Sequence, residues 1–169
     1  MKIAIVSDSH DNRGLFRQAS LIAKDRQAAA MLHCGDIVAP STLLEAKDID
    51  IPIHAIHGNN TGDLVTMNRI ASRKDSQISF YGQDAEIKLY DRRIFVVHYP
   101  HYARAMAVTG DYDLVCYGHD HRYHSEWVDN MSNEQTLLVN PGSVGGLDGP
   151  ACFLMLDLDT MESEQVLLN

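Results

Sequence analysis

Five short blocks of potential metal ligands recur through this chain: Asp8-Ser9-His10, Gly35-Asp36, Gly58-Asn59-Asn60, His98 and Gly118-His119-Asp120-His121. Mixed carboxylate, amide and imidazole groups suit divalent ions of the Mn, Ni, Zn or Fe type, and one carboxylate can bridge two such ions. Two ions roughly 3.5–4 Å apart can hold a bridging hydroxide, orient a phosphate and stabilise an in-line displacement at phosphorus. Such a centre needs roughly six or seven side chains, more than one loop can supply. This chain offers Asp8, His10, Asp36, Asn59, His98, His119 and His121, in that order. Metal-assisted phosphoester hydrolysis is the chemistry they point to.

The elements that must position these residues follow from the apolar pattern, because each block comes directly after a run that reads as a strand. Residues 2–7 form a β-branched-rich run closed by Asp8, the pattern of a buried parallel strand. Asn12 is placed to cap a helix from Arg13 to about Ala29. Residues 29–34 predict a second strand, a brief helix opens at Pro40-Ser41 and ends before Ile49, and residues 52–57 predict a third strand. A helical stretch follows from about Asp63 to Arg73. This alternation implies right-handed βα crossovers and a parallel sheet, with functional residues at the carboxyl ends of its strands. The second half reads as short strands at 77–81, 84–90, 93–98, 113–117, 124–129, 135–139, 151–157 and 163–168, with Asp91-Arg92 as a turn. Two sheets with helices outside would bury both sets of apolar residues.

With 169 residues, 45% of them hydrophobic, the chain is long enough for one domain over residues 1–169 with a substantial core. No uncharged apolar run reaches a membrane-spanning length, and the apolar run after Lys2 is too short for an export signal. Cys34, Cys116 and Cys152 form no C-x-x-C pair, so a reducing cytoplasm is the expected compartment. A formal charge of -9 argues against general nucleic-acid binding, which relies on clustered Lys and Arg. An anionic substrate needs a local reversal of that field, and two dications against two ligand carboxylates and one hydroxide would provide it.

The ordered set D-x-H, G-D, G-N, a strand-end H and G-H-x-H resembles the calcineurin-like metallophosphoesterase superfamily. Its small single-domain branch is the nearest match, and Asn140-Pro141-Gly142-Ser143 also looks like that branch. The branch includes compact bacterial and archaeal phosphodiesterases and the metallophosphoesterase-like subunit of the retromer coat. The resemblance implies an α/β fold, a four-layer α/β/β/α sandwich of two mixed sheets flanked by helices. It implies phosphodiester hydrolysis by a metal-bridging hydroxide on a small-molecule phosphoester. Asp8, His10, Asp36 and His121 would hold one ion, and Asp36, Asn59, His98 and His119 the other, with Asp36 as the bridge. Because relatives include dimers and tetramers, a homo-oligomer is in keeping with it. The retromer subunit supplies the alternative, a non-catalytic metal-binding scaffold or interaction module on the same fold.

Departures from the family pattern set further expectations. Many relatives follow Gly-Asn with a histidine that can protonate the leaving group, whereas this chain has Asn60-Thr61. His57 and His101 are the candidate replacements for that general acid, and Asp63 is expected to cap a helix. Tyr99 stands where relatives carry glycine and would shape the pocket rim. Asp120, between the two late histidines, would orient an imidazole or face solvent. Asn60, Asp120 and Ser143 are candidates either for supporting a ligand or for contacting phosphate, the last together with nearby backbone N–H groups. Strand alternation assigns His33, Cys34 and His54 to packing or to support of the ligands. His124 lacks the preceding aspartate of zinc β-lactamase-like hydrolases. Gly142 to Gly149 lacks the Lys-Ser/Thr of a nucleotide-binding loop, and Asp157 to Glu164 lacks calcium-loop spacing.

Overall fold

The computed structural model describes residues Met1–Asn169. In chain order its first half contains β1 (Lys2–Val6), α1 (Arg13–Asp25), β2 (Met31–His33), α2 (Pro40–Leu43), a 3-10 turn at Leu44–Ala46, β3 (Ile53–Ala55), α3 (Leu64–Ala71) and β4 (Ile78–Phe80). The second half contains β5 (Asp84–Leu89), β6 (Arg92–Val97), α4 (Pro100–Thr109), β7 (Leu114–Cys116), β8 (Tyr123–Asp129), β9 (Gln135–Pro141), β10 (Cys152–Asp157) and β11 (Ser163–Leu167). One sheet has the order β11-β10-β1-β2-β3-β4, the other β5-β6-β7-β9-β8. Both are mixed: β1 to β4 pair in parallel while β10 joins β1 antiparallel, and β6, β7 and β9 run parallel between antiparallel edge strands β5 and β8.

The layering follows from residues that alternate across each strand. Ile3 and Ile5 of β1 face Ile94 and Val96 of β6 in the core between the sheets. Ala4 and Val6, on the opposite face of β1, pack with Phe16, Ala19 and Ala23 of α1. Phe95 and Val97 of β6 likewise turn away from the inter-sheet core toward Ala103 and Ala107 of α4. The unbroken apolar runs of β1 and β6 are therefore explained by burial on both faces. The result is the expected four-layer α/β/β/α sandwich.

Local signals set the helix starts. Asn12 Oδ1 accepts from the Leu15 N–H at 3.3 Å, and Asp63 Oδ1 accepts from the Thr66 N–H at 2.9 Å. Helix α1 ends at Asp25, short of Ala29, and the brief second helix divides into α2 and the 3-10 turn. The strand expected at 52–57 pairs only over Ile53–Ala55, which frees Ile56 to Gly58 to curve into the site.

One element requires correction: the strand pattern assigns nothing to residues 99–112, yet α4 lies there. Pro100 at its first position and Gly110 with φ 82° just past its end are ordinary helix punctuation. Its buried stripe consists only of Ala103 and Ala107, so the apolar periodicity was faint. No helix of the molecule is long and apolar enough to cross a membrane.

Candidate metal centre

The ligand blocks occupy the loops leaving β1, β2, β3, β6 and β7, so the carboxyl ends of both sheets meet at one edge of the sandwich. These loops are tied directly to one another. Asp8 N–H donates to Gly35 C=O and His10 N–H to Asp36 C=O, each at 3.0 Å, while Gly118 N–H donates to His98 C=O at 3.1 Å. Asp8, His10, Asp36, His119 and His121 all have positive φ, between 41° and 78°. Side chains rarely adopt that backbone conformation, so the surrounding fold must hold each one in place.

The side chains converge as two adjoining groups, with the buried Asp8 and Asp36 carboxylates close to both. In the first, Asp8 Oδ1 lies 3.4 Å from His121 Nε2 and 3.8 Å from His10 Nε2, and His10 Nε2 lies 3.4 Å from Asp36 Oδ2. In the second, His98 Nε2 lies 3.3 Å from Asp36 Oδ1 and 3.0 Å from Asn59 Oδ1, which is itself 2.9 Å from His119 Nδ1. Ligand atoms about 2.0–2.2 Å from one ion stand roughly 3–4 Å apart, depending on the angle between them, so these spacings are compatible with a cation in each group. A second observation agrees: Asp8 Oδ1 and His10 Nε2 are buried without a hydrogen-bond partner. Buried polar atoms are otherwise paired, because leaving one unsatisfied is costly. Asp8, Asp36 and His98 form the buried floor, whereas Asn59 and His119 are exposed at the rim.

Supporting contacts set the ring orientations. His98 Nδ1–H donates to the Cys34 carbonyl at 2.8 Å, which turns Nε2 toward Asp36. His33 accepts from Gly35 N–H through Nδ1 at 3.3 Å, and its Nε2 lies 3.0 Å from Ser9 Oγ, joining the first two loops. Burial pushes His33 down to about 3, so this ring is neutral. Asn60 grips the shared carboxylate, its N–H donating to Asp36 Oδ1 at 2.8 Å and its Nδ2 to Oδ2 at 2.6 Å.

Other predicted positions fall as follows. Ser143 is buried, donating to the Asp8 carbonyl at 2.9 Å and accepting from Leu147 N–H at 3.3 Å, so its hydroxyl braces the Asp8 loop instead of facing a phosphate. Asp120 accepts from Asn140 Nδ2, with no imidazole bonded to it. The carboxylate that meets a late histidine is Asp148, whose Oδ2 lies 2.8 Å from His121 Nδ1. Nothing in the spacing marks it, because 27 residues separate the pair. His57 packs on Phe80, with Nδ1 3.0 Å from the Gly58 carbonyl, while His101 is exposed beside Tyr99. The Tyr99 ring touches both His98 and His119, with centroids 5.3 and 5.2 Å away, and so forms one wall of the site. His54 bonds to Tyr81 and stacks on its ring, away from the centre.

Electrostatics in the metal-free chain favour protonated rings. The Asp8 carboxylate chiefly, and Asp36 with it, raises His10 despite partial burial. Burial works against charge on His98, but Asp36, Asp8 and the Cys34 carbonyl outweigh it and raise that ring also. Burial would lift Asp36, yet His98 and the two Asn60 bonds together hold it below the usual carboxylate range. With folded values raised above about 6.5, the two histidines contribute stability that is full below that pH and lost as pH rises through the folded values. Cations must displace these protons. Apparent metal affinity is therefore expected to weaken from about pH 8 to about pH 6, with net proton release on binding. Calorimetry in buffers of different ionisation enthalpy checks this; pH-independent binding without proton release would contradict it.

Comparison with known proteins agrees with this geometry. The model of the calcineurin-like phosphoesterase superfamily domain matches residues 1–161. A phosphodiesterase of Methanocaldococcus jannaschii is 30% identical over 172 residues, covering 100% of both chains. The solved structure of an archaeal phosphodiesterase superposes with a TM-score of 0.88 at 30% identity, covering 99% of this chain and 100% of that one. Vacuolar protein sorting 29 from Cryptosporidium parvum shares the fold at 14% identity, with a TM-score of 0.67 and coverage of 99% and 96%.

Proposed function

The chain belongs to the calcineurin-like phosphoesterase superfamily, and on that premise we propose that it hydrolyses small-molecule phosphodiesters with two divalent cations of the Mn, Ni, Zn or Fe type. The observation that carries this reading is the pair of ligand groups sharing Asp36, with Asp8 Oδ1 and His10 Nε2 buried and unpaired. The full-length similarity to a phosphodiesterase supports diesters as the substrate class. Free, buried Cys34, Cys116 and Cys152 are in keeping with a reducing cytoplasm.

Asp8, His10, Asp36 and His121 would hold one ion, and Asp36, Asn59, His98 and His119 the other. Such ions, when bound, supply an activated water for attack on phosphorus and offset the charge that develops on the phosphoryl oxygens. Asp36 would serve both positions, and both Asn60 bonds hold the plane of its carboxylate. Exposed Asn59 and His119, with the Tyr99 wall, mark the side from which a diester enters. Hydrolysis adds water to phosphorus and breaks one P–O ester bond, so the departing oxygen must gain a proton.

Asn60 cannot provide that proton, since its amide is not an acid and is committed to Asp36. The His57 ring is packed on Phe80, which leaves His101 as the freer imidazole near the rim. His101→Ala is accordingly expected to slow an alkyl diester by about 10²-fold or more while nearly sparing a bis-nitrophenyl diester, whose leaving group needs little proton assistance. Steady-state rates on the two substrates test this assignment, and equal losses on both would defeat it. The proposed function itself is tested by stripping the metal, restoring Mn, Ni, Zn or Fe in turn, and assaying a nitrophenyl phosphodiester beside the matching monoester. Faster turnover of the monoester would overturn the diester assignment.

A further inference from the structure

We propose that Asp148 is a positioning residue for His121 and so sets how tightly the ion nearest Asp8 and His10 is held; this rests on the two-cation reading above. The observation is an unequal support for two metal-binding imidazoles. His98 Nδ1 is anchored on the Cys34 carbonyl, where both groups are buried and the contact belongs to the folded core. His121 Nδ1 instead meets Asp148 Oδ2 at 2.8 Å, and the Asp148 side chain is 77% exposed.

The reach of Asp148 is built into its loop. Gly145 N–H donates to the Asp8 carbonyl at 3.0 Å, Asn12 Nδ2 donates to the Gly145 carbonyl at 3.2 Å, and Leu147 N–H donates to Ser143 Oγ at 3.3 Å. The loop carrying Asp148 is thus tied to the same Asp8 turn that supplies a ligand. Asp148 itself has φ 57°, a conformation that costs energy and persists only where surrounding contacts hold it. Donation from His121 Nδ1–H to the carboxylate leaves the Nε2 lone pair facing Asp8 Oδ1, 3.4 Å away and otherwise unpaired. It also makes the ring a stronger donor to a cation. An exposed ion pair of no consequence would affect neither ion, so the two cases separate by measurement.

The test titrates Mn2+ calorimetrically into the metal-stripped full chain, comparing it with Asp148→Ala, Asp148→Asn and, as a control for lost charge, Asp91→Asn in the exposed β5–β6 turn. In Asp148→Ala the affinity of one ion is expected to fall about 10–100-fold with the other unchanged. Asp148→Asn, which retains an acceptor oxygen, recovers part of the loss, and Asp91→Asn binds both ions as the parent does. Parent-like binding by Asp148→Ala overturns the proposal, as does an equal weakening of both ions in Asp148→Ala and Asp91→Asn. Failure of the parent chain to bind two ions would instead defeat the two-cation reading, and this proposal with it.

Discussion

Asp36→Asn is expected to lower phosphodiester turnover by at least ~10³-fold, about 4 kcal/mol of transition-state stabilisation. The Asp36 carboxylate reaches into both ligand groups, with Oδ2 3.4 Å from His10 Nε2 and Oδ1 3.3 Å from His98 Nε2. An amide keeps the shape but loses the charge, and has only one acceptor oxygen to place between two cations. It also turns an NH2 group toward Asn60 Nδ2 or Asn60 N–H, where the carboxylate now accepts from both. Apart from the Asn60 N–H, the backbone hydrogen bonds that tie the site loops to one another do not involve the Asp36 carboxylate, so the fold is expected to persist. Turnover, metal content by elemental analysis and circular dichroism together check this. Full turnover with normal metal content would defeat the proposed chemistry. A non-catalytic scaffold would retain its function in this variant, which makes the substitution the sharpest separation between the two readings.

Gly58→Ala is expected to destabilise the protein by about 1–3 kcal/mol through overpacking, lowering the melting temperature by roughly 3–10 °C, and to reduce turnover about 10²-fold or more. A β-carbon at this position would collide with Asp36 Oδ1 and stand 2.7 Å from the His98 ring. Neither neighbour can give way freely, because Asp36 is clamped by Asn60 and His98 is anchored on Cys34. The added methyl group therefore displaces two of the proposed metal ligands at once. Thermal unfolding with and without Mn2+ reads the effect: the parent is expected to gain stability from the ion by mass action, and the variant to gain much less. Equal stabilisation of both by Mn2+ would show that the approach of β3 to the centre tolerates the extra carbon.

Much of the fold was legible because strand alternation and cap residues are local signals. Asn12 and Asp63 cap the helices they precede, and the strand runs of β1, β2 and β6 end where the ligand blocks begin. Helix α4 is faint in the sequence because its only fully buried residues are two alanines, which give little apolar contrast to detect. The apolar run at 52–57 outlasts the paired strand Ile53–Ala55 because hydropathy does not report where ladder hydrogen bonds stop.

Sequence by itself determined the chemical types at the site. An ordered series of carboxylate, amide and imidazole groups, each following a strand, is enough to imply a shared set of cations, since residue chemistry does not depend on the surroundings to exist. Tertiary structure alone decided how those groups are held. Asn60 grips Asp36, the Cys34 carbonyl orients His98, Ser143 braces Asp8 instead of facing substrate, and Asp148 reaches His121. These contacts join residues far apart in the chain, and some use backbone atoms that any residue possesses. Their existence depends on strand register and on loops held at positive φ, and both are set only when the two sheets pack together.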